Sequence, residues 1–419
     1  MNNVHILFLS DNFPPEVNAP ASRTHEHCRL WAAAGHRVTV ITCAPNFPKG
    51  RVFDGYRNAP WQSETIDGIR VIRVWSYITA NEGFLRRVLD YLSFTASAVV
   101  ASLFVRRVDV VIGTSPQFFT ACAGWFVGAL KRVPFVFELR DIWPESIKAV
   151  GAMGDSMAIR VLESIEMFLY RRAERIVSVT HSFRRTLGER GIDVGKIDVV
   201  TNGVDITRFS PRPKDPELEA ALHFEGCLVA GYIGTHGMAH ALETLLQAAQ
   251  RLQAMPEGSR IRILLLGDGA RKSDLQMQAR KMGLRNLVFA DSVPKEQVAR
   301  WWSLLDVSII HLRRTELFTT VIPSKLFECM GMGIPVLHGV AGESAEIVER
   351  EDVGRPFEPE NVDQLVEYLL ALERDPELLQ HWRQHCLAAA GKYDRAALGH
   401  QMLHSLESVV DRAAPRLRA

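Results

Sequence analysis

Short apolar runs rich in β-branched residues recur along the chain, each followed by a longer helical pattern, and this alternation starts afresh after one proline-bearing stretch. The early runs are Val4 to Leu9, Val38 to Thr42, Val108 to Ile112, Phe135 to Phe137 and Arg175 to Val179. Such nearly continuous apolar segments suit parallel strands covered by helices on both faces. The stretch Ser210 to Glu219 carries Pro211, Pro213 and Pro216, which fit neither a helix interior nor a central strand. Beyond it the rhythm resumes at Leu228 to Ile233, Ile261 to Leu266, Leu287 to Phe289, Val307 to Ile310 and Pro335 to Leu337. The expected fold is α/β, with two Rossmann-like doubly wound parallel-sheet domains facing across a cleft. Their expected bounds are 1–209 and 210–390, with 391–419 a helical segment crossing back to the first domain. A chain of 419 residues is long enough for two cores.

Charge narrows the function. With 49 Lys and Arg against 48 Asp and Glu the formal net charge is +1, so no nucleic-acid partner is expected, because phosphate neutralisation needs a basic domain. The six cysteines are scattered without the spacing of a zinc or redox motif, which fits a reducing compartment. No basic, apolar leader precedes the first strand run, so no signal peptide is read and a cytoplasmic location is expected.

In sheets of this kind, ligand groups come from the turns between a strand and the following helix, where free amides and the helix dipole favour an anion. Three turns qualify. The first is the long loop Ser10 to Pro20, whose Pro20 can open a helix running to Ala34. The second is the glycine turn Gly234-Thr235-His236-Gly237, which lets backbone approach a diphosphate. The third is Pro323-Ser324-Lys325-Leu326-Phe327-Glu328, where Pro323 suits a first helical position. Ser324 and Lys325 then fall in the dipole-positive turn, and Glu328 shares a face with Lys325. A carboxylate there can accept hydrogen bonds from both hydroxyls of a ribose, although a plain Lys325 to Glu328 surface pair fits the same spacing. Gly267-Asp268-Gly269 lacks the third glycine of a dinucleotide fingerprint and reads as a tight turn.

Four segments together resemble glycosyltransferase family 4, the retaining enzymes of GT-B fold. They are Phe13-Pro14-Pro15-Glu16 with Ala19-Pro20-Ala21-Ser22-Arg23; Ala44-Pro45-Asn46-Phe47-Pro48-Lys49-Gly50; Arg140-Asp141-Ile142-Trp143-Pro144-Glu145-Ser146; and Pro323 to Glu328. The resemblance is greatest to the subgroup acting in O-antigen, capsule and colanic-acid-type polysaccharides, which includes N-acetyl-L-fucosamine transferases. It implies an acceptor-binding first domain, with Asn18, Ala19, Pro20 and Arg23 as candidates, and a second domain holding a nucleotide-sugar donor, UDP-linked. Glu328 takes the place of the ribose-binding glutamate. The glutamate that precedes it in the family pattern is replaced by Thr320, with Glu316 nearby as a substitute. The basic residues that often follow the glycine turn are missing, leaving Lys325 as counter-charge with His236 or Arg313 as helpers. Front-face attack with retention and without a metal cofactor is implied, and Arg140, Asp141 and Glu145 are the candidate catalytic groups. Arg140 stands where many relatives have a histidine, and an ion pair of Arg140 with Asp141 or Glu145 holding the loop is the competing reading, though charged groups clustered at a strand's carboxyl end favour a ligand.

Between residues 84 and 107, Leu85, Val88, Leu92, Ala96, Val99 and Leu103 form an apolar stripe, while Phe94 and Phe104 lie off it and Arg86, Arg87, Arg106 and Arg107 flank it. Pattern alone fits a buried helix or a helix lying in a membrane interface. The resemblance implies the second, because relatives extend saccharides on polyprenyl diphosphate at the inner face of the cytoplasmic membrane. Two other readings stay open: a nucleotide-sugar epimerase of the same fold, and a non-catalytic subunit binding nucleotide sugar or lipid.

Overall fold

The computed structural model describes residues 3–47, 50–79, 84–142 and 157–418. The chain divides into two compact units, one comprising Met1–Thr201 with Arg395–Ala419 and the other Asn202–Asp394.

The first unit is built on an eight-stranded sheet of order β3-β4-β2-β1-β5-β6-β7-β8. Its strands are β1 (His5–Leu9), β2 (Arg37–Cys43), β3 (Trp61–Ile66), β4 (Ile69–Val74), β5 (Val110–Thr114), β6 (Phe135–Leu139), β7 (Arg175–Ser178) and β8 (Ile197–Val199). All pairings are parallel except β3 with β4. That hairpin was missed by the apolar-run reading because β3, Trp-Gln-Ser-Glu-Thr-Ile, is an edge strand without a continuous apolar run. Its signal is Asp67-Gly68, where both residues have positive φ, as a two-residue turn between twisted strands requires.

The second unit holds a six-stranded sheet of order β11-β10-β9-β12-β13-β14. Its strands are β9 (Leu228–Ile233), β10 (Ile261–Leu266), β11 (Leu287–Ala290), β12 (Val307–His311), β13 (Val336–Gly339) and β14 (Gly354–Pro356). Every pairing is parallel, and helices bury two apolar clusters against its faces.

The division falls at Thr201 rather than at residue 209, because Val204 and Phe209 are buried in the second unit's core. The final helix, Arg395–Arg418, belongs to the first unit. Leu398, Met402, Leu403, Leu406 and Val409 are buried there among Phe8, Trp31 and Val40. The Trp31 indole N–H donates to the Gly399 carbonyl at 2.9 Å.

In the helix Phe84–Ser102 the apolar stripe is not the buried face. Its buried face is Phe94, Ala98 and Ala101, followed by Val105, packed on β1, β2 and β4. Small alanines let the helix lie close to the sheet, so Leu89, Leu92, Val100, Leu103 and Phe104 face solvent. No described helix is long and apolar enough to cross a membrane.

Candidate active site

The second sheet reverses its winding between β9 and β12, with β10 and β11 on one side and β13 and β14 on the other. Loops leaving two such strands diverge and open a crevice at the carboxyl ends. Gly234 follows β9 immediately. A Cβ built on it would stand 2.3 Å from Lys325 Nζ, so the missing side chain is what admits the ammonium. Lys325 Nζ rests 3.9 Å from the centre of the Tyr232 ring, a cation–π contact. The Tyr232 hydroxyl in turn donates to the Thr235 carbonyl at 2.8 Å.

The turn Gly267-Asp268-Gly269 is more than a tight bend. A Cβ on Gly267 would fall 1.8 Å from the Gly234 carbonyl oxygen, and the His236 amide donates to the Asp268 carbonyl at 2.8 Å. The two glycine turns thus brace each other. Sequence reasoning passed over the second because its partner lies more than 30 residues away. Gly237 then caps the short 3-10 turn Met238–His240.

The electrostatics of this corner are one-sided. His236 is fully buried, and neither ring nitrogen has a partner among the described residues. Burial, with the nearby Lys272 and Lys325 charges, lowers it to about 4. Burial and Lys325 likewise lower His240 to about 4. Both imidazoles are therefore neutral near pH 7, leaving Lys325 to carry the charge. Burial lowers Lys325 itself to about 8, against the pull of Glu328.

Glu328 is half-buried in the first turn of the helix Lys325–Met332, which Ser324 caps. Pro323 precedes the cap instead of opening the helix, and the first turn is closed by the Leu326 amide donating to the Pro323 carbonyl at 3.0 Å. Arg313 and Glu316 line a concavity of about 470 Å³ with Arg314, Thr315, Phe318 and Thr319, next to Val340 and Ala341 beyond β13. The Arg313 amide donates to the Ala239 carbonyl at 2.7 Å, just after the glycine turn. The Thr320 hydroxyl turns back to the Leu317 carbonyl at 3.2 Å.

The first sheet reverses between β1 and β5, and the N-terminal motifs gather at that end. Glu16 is buried and accepts from the amides of Asn46 and Phe47, each at 2.8 Å, tying the first motif to the second. Asn18 accepts from the Ala21 amide at 2.8 Å, which makes it the cap of the helix Ala19–Ala33 with Ala19 and Pro20 in its first turn. The Pro20 carbonyl accepts from Arg140 Nη1 at 3.4 Å.

Arg23 corrects an expectation. It is buried, with Nε 2.9 Å from Glu138 and its terminal nitrogens donating to the carbonyls of Val200 and Thr201. Those bonds use its donors to hold β6 to the segment after β8, so it supports the site rather than facing an acceptor. Arg140 acts on the same carboxylate through its charge. Burial alone would raise Glu138, but Arg23, Arg140 and His27 outweigh it and hold it at about 2. Burial lowers Arg140 to about 10 against Glu138 and Asp11. Ser115 Oγ accepts from the amides of Arg140 and Asp141 at 2.8 and 3.1 Å, which fixes the start of this loop. Glu145 lies outside the described residues.

Asp11, at the end of β1, went unremarked in the sequence. Burial raises its pKa despite Arg140. Burial and then Asp11 raise Asp90 to about 7. The first unit's sheet end is therefore rich in acid.

Comparison with known proteins gives the same division. Residues 18–203 match the family described as Glycosyl transferase 4-like domain, and residues 227–375 match Glycosyl transferases group 1. The Escherichia coli (strain K12) protein WcaI, whose name assigns it to colanic acid biosynthesis as a glycosyl transferase, is 25% identical over 78% of this chain and 81% of its own length. A GDP-mannose-dependent alpha-mannosyltransferase of Mycobacterium tuberculosis (strain CDC 1551 / Oshkosh) is 24% identical over 94% of this chain and 97% of its own. Among solved structures, Anabaena HepE in complex with UDP superposes with a TM-score of 0.71 at 17% identity, covering 97% of this chain and 100% of that one.

Proposed function

Taking as premise that the chain belongs to the GT-B glycosyltransferases of family 4, we propose that it moves a sugar from a UDP-linked donor to a saccharide carried on polyprenyl diphosphate. The sugar is of the N-acetylated deoxyhexosamine class, the anomeric configuration is retained, and the product enters a surface polysaccharide. The observation carrying this reading is the Lys325 ammonium set into the space left by Gly234, in the same helical turn as Glu328.

Cleaving the donor puts negative charge on the leaving phosphate and positive character on the anomeric carbon. Lys325, at the dipole-positive start of its helix, meets the first demand, while Glu328 accepts from the ribose hydroxyls. The acceptor hydroxyl attacks from the face the phosphate leaves, which takes its proton. Arg140 and Asp141 orient the reacting groups. Because Lys325 supplies the counter-charge, the chemical step needs no metal. A UDP-linked donor agrees with the UDP bound to HepE, and a polysaccharide product agrees with the name of the colanic acid relative.

Membrane association at the inner leaflet is supported by the exposed Leu89, Leu92, Val100, Leu103 and Phe104, with Arg86 and Arg87 before them and Arg106 and Arg107 after. Such a face suits the interface of an anionic bilayer.

The deciding experiment mixes the purified chain with UDP-sugars and a polyprenyl-diphosphate saccharide in the presence of EDTA. Transfer with retained anomeric configuration is expected, together with a UDP-dependent rise in melting temperature. Sugar interconversion without acceptor, or UDP binding undiminished in Lys325→Ala, would overturn it.

A further inference from the structure

Away from the groups used above, three metal-ligating side chains converge in the second unit. His381 and His385 stand one turn apart on the helix Pro376–Ala390, so they share a face, and their ring centres are 4.2 Å apart. Asp352 meets them from the left-handed cap, φ 50°, that ends the helix Glu343–Glu351. Its Oδ2 lies 2.7 Å from His381 Nε2 and 3.1 Å from His385 Nδ1. All three ligand atoms lie within 4.8 Å of one another.

We propose that Asp352, His381 and His385 bind one divalent transition-metal ion of the zinc type, as a two-imidazole, one-carboxylate site completed by water. Ligands about 2.0–2.2 Å from a tetrahedral zinc stand about 3.3–3.5 Å apart, so small side-chain rotations convert the observed cluster into a ligand set. Two imidazoles and one carboxylate select zinc, copper, nickel or cobalt over calcium and magnesium, which require oxygen.

The cluster is also oriented from outside. Asp352 Oδ1 accepts from the indole N–H of Trp382 at 3.2 Å, and Trp382 is itself buried. This aims the other oxygen at the histidines, as hydrogen-bond donors behind a ligating carboxylate do in metal sites. The ligands are about half exposed, so an ion can enter without opening the core.

The ion would join the end of the helix Glu343–Glu351 to the helix Pro376–Ala390. The latter supports the donor-side helix from behind, since Leu387 packs at Gly333, the cap that ends Lys325–Met332. The role is therefore to stiffen the scaffold, not to take part in transfer.

The test uses the full-length chain without an affinity tag, stripped by chelator and titrated with Zn²⁺ by calorimetry and with Co²⁺ by visible absorption. One equivalent is expected to bind, with ligand-field bands from cobalt and a melting temperature that climbs with the logarithm of zinc concentration. His381→Gln and His385→Gln should each weaken binding by at least about tenfold with an unchanged circular dichroism spectrum. The UDP-induced melting shift should stay as in the parent, which separates this result from any failure of the donor assignment. Absence of saturable binding, or stoichiometric binding that survives in the folded double variant, would overturn the proposal.

Discussion

The two sheets reverse their winding in the same way, yet the chemistry collected at each reversal is opposite. At β1 and β5 Arg23 is spent on Glu138 and the site gathers acids, with Asp11, Glu16 and Asp90 all raised by burial. At β9 and β12 the histidines are neutral and the surplus is one ammonium on an aromatic ring. Topology supplies a crevice, and the residues filling it decide the ligand. An acid-rich end suits sugar hydroxyls, and an ammonium at the positive end of a helix suits a diphosphate.

The largest effect that can break this contrast is on stability. Glu138→Ala strands the buried Arg23 without its carboxylate, which should cost about 3–5 kcal/mol in denaturant unfolding of the first unit. A loss under about 1 kcal/mol would mean Arg23 is not held by Glu138. Next comes Lys325→Ala, expected to lower kcat/KM by about 10²–10³, while Lys325→Arg retains part of the activity. Equal rates for parent and alanine variant would move the diphosphate elsewhere.

Acidity separates the units further. His236, His240 and His338 have folded values lowered to about 4, 4 and 3 from 6.5. For these the unfolded chain binds protons first, so the second unit should lose stability as pH falls from 6.5 towards 4. In the first unit His27, lowered to about 3, acts the same way. Asp90, raised to about 7 from 3.8, opposes it, because protonation there favours the folded form. Hydrogen exchange at pH 7 and 5 should therefore show the second unit loosening more, and equal loosening would refute the assignment. On the alkaline side Lys325 deprotonates around 8, so kcat/KM should decline above that pH in the parent and hold in Lys325→Arg. The smallest effect is expected from Leu103→Ser with Phe104→Ser, which should reduce flotation with anionic liposomes by a few-fold without altering the melting temperature. Unchanged flotation would dissociate this face from lipid.

Much of the architecture was legible because buried parallel strands write themselves as apolar runs. β3 was not, since an edge strand need not be apolar on both faces, and the helix Phe84–Ser102 was rotated because alanines, not leucines, bury best against a close sheet. At the site, Lys325 and Glu328 could be found from local spacing on one helix. Asp11, Gly267 and the engagement of Arg23 could not, because each acquires its meaning from a partner distant in sequence. Glu138 looked like an ordinary strand residue until Arg23 closed on it.

The last helix carries a lesson about the order of assembly. Trp31 and its neighbours are covered by residues 398–409, which a ribosome delivers after the whole of the second unit. The second unit can thus finish folding on the nascent chain while the first still lacks its closing wall. Until then the first unit depends on chaperones or on brevity to keep that apolar surface from sticking elsewhere.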